Sequence, residues 1–161
     1  MKRLKQLAAL LVVIAGLLAV APSAGAAELR EEALARHCVV EIGDKNLPQE
    51  SAETCFESEA AVDSYLGDKL QRASSNVIGR HYSGTRYSGS SITVVGTTCG
   101  GGVWYATGFW NNNIESTRNY CGSVGTRFYD SSSCSGSSRL ATSDQLTLGW
   151  MNNRTSCVRY G

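Results

Sequence analysis

The chain opens on a single apolar block. Lys2, Arg3 and Lys5 precede an unbroken run from Leu7 to Ala21, which Pro22 ends. Ala24-Gly25-Ala26 follows with the small-residue spacing of a cleavage site. The run is shorter than the roughly 20 residues a membrane span needs. Residues 1–26 therefore read as a signal peptide, and the rest as an exported chain with no further window able to span a bilayer. Beyond it the pattern shortens. Glu28 to Arg36 predicts a helix, with Leu29 and Ala33 one turn apart and Glu32 and Arg36 at i,i+4. Cys38 to Ile42 predicts a strand, 43–51 a loop, and Thr54-Cys55-Phe56 a second short strand. Ser58 caps a second predicted helix, Gly67 stops it, and Ala61, Val62, Tyr65, Leu66 and Leu70 form its apolar face.

From residue 74 the period becomes that of strands. Val77-Ile78, Ser91 to Val95, Val103 to Tyr105, Thr126 to Tyr129 and Leu146 to Leu148 are short runs of β formers, punctuated by Gly, Ser and Asn. Such spacing predicts a sandwich or barrel.

Composition changes at the same place. Residues 27–73 carry five basic and eleven acidic side chains. Residues 74–161 carry seven Arg, no Lys and only Glu115, Asp130 and Asp144 as acids. Six of seven Tyr and all three Trp also fall after residue 73. The expected organisation is a signal peptide (1–26), a small acidic α+β unit (27–73) and a β domain (74–161). The unit is marginal alone and should dock on the β domain through opposite charge. Overall charge is near zero, at +1 for the full chain. This gives no footprint for a nucleic acid, and a monomer is expected.

Candidate chemistry is sparse. His37 and His81 are the two histidines, and H-E-x-x-H, G-x-S-x-G and C-x-x-C are absent. The chain is not expected to be an enzyme. Six cysteines in an exported chain, Cys38, Cys55, Cys99, Cys121, Cys134 and Cys157, point to disulfides rather than zinc.

An internal repeat carries more. Tyr82 to Ser91 aligns with Tyr129 to Ser138 at a shift of 47 residues, keeping Tyr, Ser, Gly, Ser and Ser. Gly108-Phe109-Trp110-Asn111-Asn112 aligns with Gly149-Trp150-Met151-Asn152-Asn153 at a shift of 41, and Arg118 then falls over Arg159. Two ordered blocks recurring in the same order predict two similar four-stranded units. In each, a Tyr starts a hairpin, Gly89 or Gly136 supplies a conformation that a Cβ hinders, and the Ser after it bonds to a neighbouring turn.

This pattern of aromatic, Gly and Ser followed by an Asn-Asn turn resembles the βγ-crystallin double Greek key. It also resembles the secreted streptomycete metalloproteinase-inhibitor family of actinobacteria and its killer-toxin-like relatives. The resemblance covers 77–161 and implies a two-sheet β-sandwich there; with the small α+β unit read from residues 27–73, the expected fold class is mostly β. It implies a calcium-binding option at the turns, here degenerate: Asn111, Asn112, Glu115 and Ser116 in the first copy, Asn152, Asn153 and Ser156 in the second. No other cofactor is implied. Glu115 stands where Ser or Thr belongs, and Cys157 where a final Ser belongs.

Fifteen disulfide pairings are open to six cysteines, and sequence does not choose among them. A local set, Cys38–Cys55, Cys99–Cys121 and Cys134–Cys157, is the expectation. The last pair accounts for both departures of the second repeat, Cys134 for an aromatic and Cys157 for Ser.

By resemblance, the expected activity is inhibition of an extracellular metalloproteinase. The segment Thr97, Thr98, Cys99, Gly100, Gly101, Gly102 and Val103 is the candidate loop, inserting as an extended strand. The alternatives are a structural or weakly calcium-binding surface protein, or a toxin-like cell-wall binder. Trp104, Tyr105, Phe109 and Trp110 are expected to be mostly core.

Overall fold

The computed structural model describes residues 35–43, 52–71 and 75–161. The expected signal peptide, residues 28–34 of the first expected helix and loop residues 44–51 lie outside these. Ala35 and Arg36 are described and are not helical.

Two antiparallel-based sheets face each other across one core. Sheet A has the order β2-β1-β4-β3-β6, with β1 (His37–Glu41), β2 (Thr54–Phe56), β3 (Asn76–Gly84), β4 (Ser88–Gly96) and β6 (Ser116–Asn119). Sheet B has the order β5-β9-β7-β8, with β5 (Gly102–Tyr105), β7 (Thr126–Tyr129), β8 (Ser138–Ala141) and β9 (Cys157–Tyr160). The repeats are interlocked. The first supplies β3, β4 and β6 to sheet A but sends β5 to sheet B, where it pairs with β9. The second supplies β7, β8 and β9 to sheet B and sends Gln145 back to bridge Thr117 of β6. This is the double Greek-key sandwich.

Two further expectations need correction. Leu146–Leu148 is not a strand. Gln145 bonds Thr117 in both directions, but the Leu146 carbonyl turns away to accept from Arg86 N at 2.8 Å, which breaks the ladder after one bridge. Gly67 does not stop the second predicted helix, α1, which runs Glu59–Leu70. It costs helix propensity but faces open space. Ser58 does cap α1, accepting from Ala61 N at 3.2 Å.

Alternation in the strands builds two cores. Val40, Ile78, Ile92, Val94, Trp104, Trp110, Phe128, Met151, Val158 and Tyr160 fill the space between the sheets. Each large side chain removed from water there contributes about 1.5–3 kcal/mol. On the outer face of sheet A, Val39 and Val95 pack against Val62 and Leu66 of α1, with Phe56, Tyr65, Leu70 and Val77 at the edge. β1 runs parallel to β4 over five register pairs, from His37↔Ser91 to Glu41↔Val95. The composition change near residue 73 thus falls between segments that share one sheet. Residues 35–161 belong to one compact unit.

The aromatic quartet divides. Trp104 and Trp110 are buried, whereas Tyr105 and Phe109 are exposed.

Candidate functional site: the paired asparagine turns

A short 3-10 turn precedes each Asn pair, at Gly108–Trp110 and at Gly149–Met151. The buried third residues, Trp110 and Met151, anchor these turns in the core. Asn112 and Asn153 then adopt left-handed backbone, with φ of 57° and 54°. Asn tolerates that region better than most residues. The sequence rule of an Asn pair in a tight turn therefore holds in both repeats.

The two turns meet reciprocally. Asn112 N donates to Thr155 O at 2.9 Å, and Asn153 N donates to Ile114 O at 3.0 Å. Side chains complete the lock. Ser156 Oγ donates to Asn111 Oδ1 at 2.7 Å and lies 3.4 Å from Asn112 Oδ1. At the equivalent place Asn153 Nδ2 donates to Glu115 Oε1 at 2.6 Å. Asn152 Oδ1 accepts from Thr147 Oγ1, and Arg154 pairs with Asp130 at 3.3 Å. Ser116 belongs elsewhere: it is buried, its Oγ donates to Gly84 O at 2.6 Å, and it accepts from Tyr87 N.

These residues fit calcium poorly. The ion takes six to eight oxygens, with carboxylates usually prominent. Around the first turn the side-chain oxygens of Asn111, Asn112 and Ser156 are all neutral. Thr155, whose carbonyl accepts from Asn112 N, has a buried Oγ1 without a hydrogen-bond partner among the described residues, and that oxygen too is neutral. Around the second turn Glu115 brings one carboxylate, already bonded to Asn153. Arg154 adds a fixed positive charge beside it. Glu115 with Asn153 is the one weak donor set of the pair. Among the described residues, the His, Cys, Asp and Glu groups close enough for a metal are Cys38, Glu53 and Cys55. Both of those sulfurs are spent in a disulfide.

Three disulfides join Cys38–Cys55, Cys99–Cys121 and Cys134–Cys157. Cys38 and Cys55 face each other across β1 and β2. Cys134–Cys157 ties the second hairpin to the residue that follows Ser156. Three bridges suit an oxidising extracellular setting. Among the described residues, no helix is long and apolar enough to cross a membrane.

Residues 97–101 form a bend that leads into β5. Gly100 N donates to Thr98 Oγ1 at 3.1 Å, and Gly101 N to Tyr160 O at 2.6 Å. Thr97, Thr98 and Gly100 are exposed, while Gly102 and Val103 already belong to β5. Cys99 is bridged to Cys121, which pins the turn.

The hairpin glycines have the required backbone, with φ of 77° at Gly89 and 83° at Gly136. Of the serines that follow them, Ser90 Oγ accepts from Arg36 N at 3.0 Å, and Ser90 N donates to Ser83 Oγ at 2.9 Å across the hairpin. Ser91 Oγ lies 2.9 Å from His37 Nδ1, and Ser138 Oγ accepts from Arg127 at 3.4 Å.

Two polar centres, His81 and Arg80, are buried in β3; in the sequence His81 reads as an ordinary strand residue and Arg80 does not stand out. His81 is fully buried, and burial holds its pKa down to about 3. Its Nδ1 lies 2.9 Å from Thr117 Oγ1 and its Nε2 2.7 Å from Tyr160 Oη. Thr117 has carbonyl acceptors in Arg80 and Arg118. The arrangement that satisfies every proton has Tyr160 donating to Nε2 and Nδ1–H donating to Thr117. This histidine is a neutral core element. The second centre is Arg80, buried in β3. It donates to Thr93 Oγ1 at 2.8 Å, to Glu59 at 3.1 Å and to Asp63 at 2.5 Å, fastening α1 to sheet A. The alignment of Arg80-His81-Tyr82 with Arg127-Phe128-Tyr129 was the available signal.

No protein-family model matches the chain, and no curated protein sequence matches it. Solved structures similar in fold include a βγ-crystallin domain from Clostridium beijerinckii (17% identity, 51% of this chain and 94% of that chain, TM-score 0.44). Another is a βγ-crystallin domain from Flavobacterium johnsoniae (21% identity, 51% and 91%, TM-score 0.40). A third is protein S complexed with calcium (23% identity, 53% and 48%, TM-score 0.42).

Proposed function

We propose that this chain is an exported, non-catalytic structural module, a crystallin-like sandwich built to persist outside the cell. The observation that carries this reading is the reciprocal lock of the Asn turns. The side chains that would offer chemistry in such turns, Asn111, Asn153, Glu115 and Ser156, are spent joining the two repeats. The three disulfides add about 2–4 kcal/mol each through the unfolded chain. Calcium has a minor place in this reading, as a weak ligand near Glu115 and Asn153 at the concentrations typical of extracellular sites.

A second reading is inhibition of an extracellular metalloproteinase. The exposed turn at Thr97–Gly100, pinned by Cys99–Cys121 and by Tyr160, supports it, since a rigid turn loses little entropy on binding.

One experiment separates the two. The oxidised protein is incubated with a thermolysin-like metalloproteinase, and both its intact mass and the protease activity are followed. Survival without inhibition supports the structural module. Stoichiometric inhibition that disappears on reduction supports the inhibitor, and rapid cleavage of the oxidised protein contradicts both.

A further inference from the structure

The internal repeat places the same pair of arginines on the outer face of each sheet. In sheet A, Arg80 of β3 stands directly opposite Arg118 of β6. In sheet B, Arg127 of β7 stands directly opposite Arg159 of β9. Their neighbours Phe128, Val158, Thr126 and Tyr160 are fully buried, so both sheet B arginines lie on the face away from the core. Like charges directly opposite across strands repel.

Sheet A answers that repulsion. Helix α1 lies over it and brings Glu59 and Asp63, four residues apart on one face, to Arg80. Val62 and Leu66 of the same helix pack on the sheet's apolar residues. Sheet B has no such answer among the described residues. Its four strands carry three arginines and no acid. Arg139 is occupied with Leu148 O and Gln145 Oε1. Arg127 reaches only Ser138 Oγ at 3.4 Å, and Arg159 lies over the Tyr129 ring at 5.8 Å. Leu140 is the register partner of Arg127, as Thr93 is of Arg80. Leu140 is 44% exposed and Tyr105 50%. Cys157, on the same face, is fully buried and bridged to Cys134; the rest of the face, among the described residues, carries the arginines at its centre with Leu140 and Tyr105 around them.

We infer that the outer face of sheet B is a docking surface for an acidic amphipathic helix of a partner protein. The helix would present two carboxylates at i,i+4 to Arg127 and Arg159 and apolar residues to Leu140 and Tyr105. The arginines of this face are complementary in charge to such a helix, and the chain's own α1 on the equivalent face of sheet A is the template for the occupant. This inference goes beyond the structural reading and stands apart from it.

The test uses the oxidised protein and a fluorescent peptide covering residues 58–71, stapled on its solvent face because so short a helix is marginal alone. The expected result is saturable binding that weakens with salt. Hydrogen-exchange protection should appear over 126–129 and 157–160. The double substitution Arg127→Gln with Arg159→Gln should weaken binding at least tenfold while leaving the melting temperature equal or higher, because a repulsive pair is removed. Leu140→Glu should weaken it independently. A peptide carrying Glu59→Gln and Asp63→Asn should also bind at least tenfold more weakly. The inference is overturned if no saturable binding appears at low salt, if the double variant binds equally well, or if polyglutamate binds as tightly as the peptide. Sedimentation showing a dimer that the double variant abolishes would make a second copy the occupant and would overturn it too.

Discussion

Glu115 and Asn153, 38 residues apart in the chain, are joined by a 2.6 Å hydrogen bond. The bond crosses from the first repeat to the second, and at the equivalent place Ser156 Oγ crosses back to the first Asn pair, donating to Asn111 at 2.7 Å and lying 3.4 Å from Asn112. These two contacts and the paired backbone bonds beside them make the repeats one cooperative body. Substituting Glu115→Ala should lower stability by about 1 kcal/mol, and Ser156→Ala by a similar amount. A denaturant titration of both variants and of the double variant checks this. Losses that add strictly would mean the two contacts act separately, whereas coupling above ~0.5 kcal/mol is expected for groups in one network.

His81 gives the fold a dependence on acid. Its folded pKa, about 3, lies below the ordinary value of 6.5. The stabilisation from keeping it neutral is complete above pH ~6.5, diminishes as pH falls below that and is exhausted at about pH 3. By pH 4 this one group should have cost on the order of 3 kcal/mol. His81→Phe should flatten the stability profile between pH 6.5 and 4, whatever its effect at neutral pH. A variant whose profile still falls as steeply would show that another group is responsible.

Arg80 predicts an asymmetry. The double change Glu59→Gln with Asp63→Asn removes both carboxylates from a buried guanidinium; because Asp63 is largely exposed, it should cost about 1–2 kcal/mol. Arg80→Met removes the buried charge itself and should cost less, since an apolar side chain of similar length fills the same place. Hydrogen exchange in Glu59–Leu70 should speed up more in the first variant than in the second.

The left-handed hairpin positions should tolerate little change. Gly89→Ala and Gly136→Ala each force a Cβ into a backbone with φ near 80° and within 3 Å of Ser83 Oγ or Asp130 Oδ1. Each should cost about 1–3 kcal/mol, read as a lower melting temperature with the native far-UV spectrum retained.

Much of this architecture was legible in the residues, because its signals are local. The Tyr82 and Tyr129 hairpins, their glycines and the Asn turns are set by conformational preferences within about ten residues. The disulfides of the structure are the local pairs. What the residues did not show depends on contacts between distant segments. The strand expected at Leu146–Leu148 has the right side chains, but its ladder is interrupted by a bond to Arg86. Gly67 reads as a stop, yet α1 continues past it because Leu66 and Leu70 pack on sheet A. The composition change near residue 73 suggested a small unit docked on the β domain, without showing that its strand joins sheet A. The parallel pairing of β1 with β4 is a long-range contact that no local signal announces. The extended loop expected at Thr97–Val103 was placed by the Gly-rich stretch beside Cys99, and the bond from Gly101 N to Tyr160 O, which ties that stretch to β9, depends on a residue far along the chain.

The most direct test of the structural reading is thermal unfolding of the oxidised protein in millimolar calcium, in chelator, and after reduction. The account predicts one cooperative transition, shifted by no more than about 2 °C between calcium and chelator. Reduction should lower it by 10 °C or more, as the loss of bridges at about 2–4 kcal/mol each requires. A transition that collapses in chelator, or one that reduction leaves in place, would contradict a fold held by its own turns and disulfides.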